Sequence, residues 1–122
     1  KRLTDAGTQV IVPLPLPRFG YWDARNCASP TIVRSPESCE SHVLAVDAVS
    51  YNALARDAIL RSISPFDSAT AIDLMGIYCG RHRCETRASD LWIFRDSGHL
   101  TVGGAVLSAA EFAKAIDAVL DR

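Results

Sequence analysis

Long apolar runs, charge of one sign and internal repeats are all missing from this chain of 122 residues. No stretch of about 18 consecutive apolar residues occurs, so no transmembrane helix is predicted. The formal net charge is -1 and the charged residues form no block, so we expect no nucleic-acid partner. There is also no phosphate-binding glycine loop, because Gly103-Gly104 is too short and follows no strand. The composition of the chain, with 48% hydrophobic and 22% charged residues, is typical of one globular domain over residues 1–122.

The four cysteines form two local pairs, Cys27 with Cys39 and Cys79 with Cys84, in segments rich in turn-forming or polar residues. This arrangement indicates two short-range disulfides and an oxidising compartment. Four cysteines allow three connectivities, so the sequence alone does not decide the pairing. Zinc binding by Cys79, His82 and Cys84 is the alternative, although their spacing matches no common pair of zinc ligands.

The order of the predicted elements is typical of an α/β domain with a parallel sheet. Lys1 to Ala6, ended by Gly7, reads as the last turn of a helix, and we expect more of that helix before Lys1. Thr8 to Leu14 is a continuous β-branched run, which predicts a strand buried on both faces. Prolines at positions 13, 15 and 17 then end the strand. Further elements are predicted downstream: a surface helix over 43–63, strands over 69–74 and 91–94, a short helix capped by Thr101, and a final helix from Ser108.

Both longer helices are expected to pack by one apolar face. In the first, the apolar residues near helical spacing are Val46, Val49, Ala53, Leu54 and Leu60. The second begins with the capping-box pattern Ser108-Ala-Ala-Glu111 and is expected to bury Phe112, Ile116, Val119 and Leu120. Residues 17–39 form a long irregular loop, whose aromatic side chains either pack it onto the domain or line a substrate cleft: Phe19, Tyr21 and Trp22.

The stretch from Phe94 to Ala105 places the carboxylate of Asp96 three residues before the imidazole of His99, between a predicted strand and a predicted helix. Loops in this position of α/β domains often carry active sites. Asp96 can accept a hydrogen bond from one ring nitrogen of His99 and leave the other as a base for a nucleophile. In the alternative, Asp96 caps the turn and His99 packs beneath it. His82 is interpreted as a solvated loop residue, and His42 lies near the predicted start of a helix.

The block Asp96-Ser-Gly-His-Leu-Thr101, followed by Gly103-Gly104-Ala105 and a terminal helix, resembles the last conserved block of SGNH hydrolases, the Gly-Asp-Ser-Leu type of esterases. It is most similar to the SGNH domain fused behind the membrane-embedded acyltransferase 3 domain of bacterial envelope O-acyltransferases. The likeness extends upstream over nearly the whole chain: Val10-Ile-Val-Pro-Leu-Pro-Leu-Pro17, the loop with Cys27 and Cys39, the long helix, Ile72-Asp-Leu and the turn from Cys79 to Cys84.

The resemblance implies part of a three-layer α/β/α, flavodoxin-like fold with a parallel sheet, and a Ser-His-Asp triad without a cofactor. Asp96 then orients His99, and His99 deprotonates a serine. The family's serine stands in a Gly-Asp-Ser block that these residues do not contain, and neither Ser64 nor Ser97 lies in a comparable turn. We therefore expect the chain to be the C-terminal portion of an SGNH domain, inactive in isolation, with the nucleophile on a separate N-terminal segment.

The function implied by the resemblance is that of an esterase or O-acyltransferase for cell-envelope polysaccharide or glycan, at the periplasmic or extracellular face of a bacterial membrane. The implied partners are an acyl donor, a glycan acceptor, a membrane acyltransferase domain in the parent chain and the remaining N-terminal SGNH segment. The acyl donor and the choice between hydrolysis and transfer stay open. The alternative function is that of a noncatalytic, disulfide-stabilised secreted α/β module.

Overall fold

The computed structural model describes residues 2–28, 39 and 42–121. The fold is α/β, with short strands between helices. The described helices are α1 (Arg2–Asp5), α2 (Arg25–Ala28), α3 (Ala45–Ser50), α4 (Ala53–Ile63), α5 (Met75–Tyr78), α6 (Val102–Val106) and α7 (Ala109–Leu120). The described strands are β1 (Val10–Pro13), β2 (His42–Leu44), β3 (Ala69–Ile72), β4 (Arg83–Glu85), β5 (Arg87–Ala88) and β6 (Leu91–Trp92).

Strands β1 and β3 pair in parallel, with Val10 opposite Ala69 and Pro13 opposite Ile72. This confirms both predicted strands and the parallel sheet. The prediction that β1 is buried on both faces is wrong, because its three apolar residues are half-buried and Pro13 is exposed. Within the described part of the chain, β3 is the only strand beside β1, so no described strand pairs with the other edge of β1.

The helix predicted over 43–63 is divided into three elements. The first is β2, which pairs antiparallel with β4, and α3 and α4 then follow with a break at Tyr51-Asn52. Asn52 lies outside both helices, and its side-chain amide donates a hydrogen bond to the Leu16 carbonyl oxygen, 2.7 Å away. Because the break resets the helical phase, the predicted apolar face is wrong: Ala48 is buried, whereas Val46 and Leu54 are 72% and 84% exposed.

Thr101 caps α6 as predicted, because its Oγ1 accepts a hydrogen bond from the Gly104 amide at 2.9 Å. The capping box predicted at Ser108 is wrong. Ser108 has helical backbone angles, and its hydroxyl instead donates to the Ala105 carbonyl oxygen at 2.7 Å. Of the side chains predicted to face inward from α7, Phe112 and Val119 are half-buried, but two are exposed: Ile116 and Leu120.

The strand predicted over 91–94 is shorter than expected, and β6 pairs antiparallel with β5 and not with the parallel pair. Beyond β6, the chain enters the core at Phe94, which is fully buried. The ring centroid of Phe94 lies 4.5 Å from that of Phe19 and 5.4 Å from that of Tyr78. Phe19 and Trp22 therefore pack the loop onto the domain, as one of the two interpretations held, while Tyr21 is fully exposed.

The predicted disulfide between Cys79 and Cys84 is confirmed. Since their sulfurs are bonded to each other, the zinc alternative with His82 is wrong, and the residues that the structure describes contain no other cluster of metal-binding side chains. The predicted bond between Cys27 and Cys39 is not formed. Closeness in sequence fixes the length of the intervening loop but not the separation and orientation of the two Cβ atoms that a disulfide requires.

Over residues 2–28 and 42–121, none of the helices has the combination of length and hydropathy that crossing a bilayer requires.

Candidate active site

A closed turn directly before α6 carries Asp96 and His99. Its two ends, Phe94 and Leu100, form an antiparallel bridge. Inside the turn, Asp96 Oδ1 accepts hydrogen bonds from the backbone amides of Gly98 at 3.2 Å and His99 at 3.0 Å. The carboxylate is therefore held relative to the imidazole by the backbone of the turn itself, before any substrate binds.

The structure brings together the two residues that the sequence singled out. Nδ1 of His99 lies 2.7 Å from Oδ1 of Asp96, a short hydrogen bond. Among the described residues, no other side chain bonds to the His99 ring, and its side chain is 71% exposed. Nε2 of His99 is thus accessible from solvent, while Nδ1 is fixed by the carboxylate. This is the geometry that orients an imidazole as a base.

The Asp96 carboxylate is ionised over the whole neutral range. Partial desolvation raises its pKa, but the hydrogen bonds from the Gly98 amide, the His99 ring and the His99 amide outweigh that effect. The pKa of Asp96 accordingly falls from 3.8 to about 2. An ionised carboxylate is the form that selects the tautomer of a neighbouring imidazole and stabilises the imidazolium.

The segment after β1 supports the turn from outside. The Phe19 amide donates to the Ser97 carbonyl oxygen at 2.8 Å, and the Ala24 amide donates to the Arg95 carbonyl oxygen at 3.0 Å. The backbones of Asp23 and Asp96 form an antiparallel β-bridge, and the carboxylate of Asp23 forms an ion pair with Arg25. The hydrogen bond from the Arg25 side chain lowers the pKa of Asp23, so this second carboxylate is already paired.

His99 stands at a cleft of about 670 Å³. The cleft opens where β1 and β3 end, the edge at which parallel sheets bind ligands. One wall is the exit of β1 (residues 13–18), a second is the turn over residues 97–100, and a third is the α6–α7 junction. The lining is mostly apolar, and its polar members other than His99 are Arg18, Asn52, Ser97 and Ser108.

None of the described hydroxyl groups is hydrogen-bonded to His99, although Ser97 and Ser108 line the same cleft. The Ser108 hydroxyl donates its hydrogen bond to the Ala105 carbonyl oxygen. His42 and His82 do not line the cleft. Neither Arg18 nor Asn52 was predicted from the sequence, in which the prolines that line the same wall indicated only the end of the strand.

The site contains an ionised aspartate hydrogen-bonded to an exposed histidine at the mouth of a cleft, which is the arrangement of orienting acid and base in serine hydrolases. The chain belongs to the SGNH domain family: the family model described as the SGNH domain fused to AT3 domains matches residues 1–114. The match includes both Asp96 and His99, and it confirms the family resemblance and the α/β fold. The family is of the hydrolase or esterase type. Searches of curated proteins and of solved structures gave no match.

Proposed function

We propose that this chain supplies the general base and the orienting acid of a serine esterase or O-acyltransferase that modifies cell-envelope glycans. The observation that carries the proposal is the 2.7 Å hydrogen bond between His99 Nδ1 and Asp96 Oδ1 in a closed turn beside a cleft. The fusion to AT3 domains in the family's description supports a membrane acyltransferase domain as partner. It also supports a location at the periplasmic or extracellular face of a bacterial membrane.

The proposed reaction passes through an acyl-serine. Because Asp96 holds the Nδ1 proton, Nε2 of His99 carries the lone pair and takes the proton of the serine hydroxyl while Oγ attacks the acyl carbonyl carbon. The imidazolium then returns this proton to the leaving alkoxide as the bond to it breaks. In the second half, Nε2 takes a proton from water or from a sugar hydroxyl, whose oxygen attacks the acyl-serine, and the serine leaves with that proton. The hydroxyl that reaches Nε2 decides between hydrolysis and transfer.

The serine itself is proposed to come from a segment outside these 122 residues. Supporting this, none of the described hydroxyls is bonded to His99, and the chain has no Gly-Asp-Ser block. The edge of β1 that has no described strand beside it also offers backbone groups with which a further strand can pair. On this proposal the isolated chain is inactive, and the complete domain forms when that segment packs beside β1.

The test compares single variants of the full-length parent protein. His99→Ala should lower the turnover of an aryl acetate by about 10⁴-fold or more, and Asp96→Asn by about 10⁴-fold. His82→Ala is the matched control, because this exposed histidine lies outside the cleft. Intact-protein mass spectrometry should detect an acyl-enzyme in the parent protein and not in His99→Ala. Undiminished turnover by His99→Ala would contradict the proposal.

The noncatalytic alternative accounts for one of these observations, although His99 does not pack beneath the turn as that alternative required, because its side chain is 71% exposed. Oδ1 of Asp96 also accepts two backbone amides, so the carboxylate caps the turn whether or not the protein is a catalyst. Asn in place of Asp96 keeps an oxygen for both amides and removes only the charge. If the role is capping alone, Asp96→Asn and His99→Ala should leave every activity of the full-length protein unchanged.

A further inference from the structure

We propose that Arg18 binds the carboxylate of an acidic sugar in the cleft that contains His99. This inference rests on the proposed function, for which it names a substrate class. It concerns selection of the glycan and not the chemical step, so Arg18 is a binding residue.

Arg18 lies across the turn from which His99 projects. It lines the cleft together with Ser97, Gly98 and His99. A Cβ atom added to Gly98 would lie 4.0 Å from Cγ of Arg18, so the stem of the arginine passes over the residue next to His99.

The backbone at this position is fixed on both sides. The amide of Arg18 donates to the Ala48 carbonyl oxygen at 3.0 Å, and the amide of the next residue, Phe19, donates to the Ser97 carbonyl oxygen at 2.8 Å. Phe19 is itself buried in the aromatic core. The exposed side chain of Arg18 therefore lines the cleft from a backbone that is held on both sides.

The charge of Arg18 is not neutralised by the part of the protein that the structure describes. Most described arginines have a carboxylate partner within 4.0 Å: Arg25, Arg56, Arg61, Arg83, Arg87 and Arg95. Arg18 forms no ion pair with any described residue, and the described lining of the cleft contains neither aspartate nor glutamate. Among the described residues, the cleft thus holds one positive charge without a carboxylate partner, beside the base.

The chemistry of the lining favours a carboxylate over a phosphate. A guanidinium presents a planar fork of N–H groups that matches a carboxylate by two parallel hydrogen bonds. The described lining offers one guanidinium and no lysine, whereas a phosphate dianion presents three oxygens and nearly twice the charge. The remaining surface is mainly proline and leucine, on which the uncharged part of a saccharide can rest. A single carboxylate on an otherwise neutral sugar ring fits this set of groups.

The matched probes are trigalacturonate and its methyl ester, which have the same backbone and differ in charge. Binding to the full-length protein is measured by calorimetry in the His99→Ala background, which prevents turnover of the ester. The acid should bind at least about tenfold more tightly than the ester, the scale of a charge-assisted hydrogen bond. Adding Arg18→Ala should abolish this preference, and Arg18→Lys should retain part of it.

Arg81→Ala is the control, because Arg81 is exposed, forms no ion pair with a described residue and lies outside the cleft. It should leave the preference unchanged. Equal affinity for the acid and the ester would overturn the proposal, and this comparison does not depend on the folding of any Arg18 variant. Tighter binding of galactose 6-phosphate than of the acid would also overturn it. Undiminished aryl acetate turnover by the His99→Ala variant would instead refute the proposed function, so the two failures are distinguishable.

Discussion

Phe19 and Phe94 pack edge to face with their ring centroids 4.5 Å apart, and this contact joins the exit of β1 to the base of the turn that carries Asp96 and His99. The two rings are 4% and 0% exposed. Phe94 directly precedes Arg95 and Asp96 in the chain. The backbone amide of Phe19 donates a hydrogen bond to the Ser97 carbonyl oxygen. The hydrophobic core and the geometry of the candidate site are therefore set by the same side chains.

Truncating Phe19 should destabilise the domain and loosen the turn. Phe19→Ala removes a buried ring and leaves a cavity under Phe94, so the free energy of unfolding should fall by about 3 kcal/mol or more. Tyr21→Ala is the matched control, because Tyr21 is fully exposed, and its effect should stay within about 0.5 kcal/mol. Urea denaturation measures both values. A Phe19→Ala variant as stable as the Tyr21→Ala variant would show that the aromatic contact does not support the turn.

Gly104 should tolerate no side chain. A Cβ atom at this position would overlap the carbonyl oxygen of Ile93, a backbone atom that cannot rotate away. Gly104→Ala should therefore cost about 2 kcal/mol of unfolding free energy and displace the chain that leads to Asp96. Gly76→Ala, also within a helix, meets no heavy atom within 4 Å and should be neutral or slightly stabilising. The melting temperatures of the two variants provide the comparison, and equal values would contradict the close approach.

The features that were predictable from the sequence are those fixed by neighbours within a few residues. Gly7 ends α1 with a φ of 75°, a value that glycine adopts without strain. Three further features join residues no more than five positions apart: the cap at Thr101, the disulfide between Cys79 and Cys84, and the pairing of Asp96 with His99. Local spacing was sufficient in each case because the backbone of a single turn brings the partners together.

The features that were missed depend on contacts distant in sequence. The break between α3 and α4 coincides with the bond from Asn52 to Leu16, 36 residues away. Arg18 enters the cleft because the exit of β1 folds over a turn some 80 residues downstream. The exposure of Ile116 and Leu120 likewise depends on what packs against α7, and an amphipathic pattern does not specify that. No periodicity of apolar residues carries information of this kind.

Reduction of the disulfide between Cys79 and Cys84 should lower stability by about 2 kcal/mol, the loop-closure entropy of so short a loop. The bond closes the turn that leads into β4, and Cys84 is fully buried. Adding dithiothreitol should therefore lower the melting temperature of the parent protein. The Cys79→Ala, Cys84→Ala double variant is the control, because it should melt at a reduced temperature that dithiothreitol does not change further. If dithiothreitol lowered the melting temperatures of both proteins equally, the loss of stability would come from cysteines other than Cys79 and Cys84.

Asp96 should make the stability of the domain depend on pH below about pH 4. Its pKa is about 2 in the folded protein, against 3.8 for an ordinary aspartate such as that of the unfolded chain. Because folding depresses this pKa, the stabilisation is fully present above pH 4 and is lost as the pH falls through about 2. Asp96→Asn keeps an acceptor for both amides of the turn but has no proton to gain.

The difference in unfolding free energy between the parent protein and Asp96→Asn should accordingly shrink between pH 4 and pH 2. The change should be about 1 kcal/mol or less, because the carboxylate is partly exposed to solvent and screened. Asp117→Asn is the control for the removal of one negative charge, since Asp117 is exposed on α7 and forms no ion pair with a described residue. A difference for Asp96→Asn that does not change with pH would mean that the hydrogen bonds to Oδ1 do not favour the ionised carboxylate. The orienting role of Asp96 beside His99 would then lose its electrostatic basis.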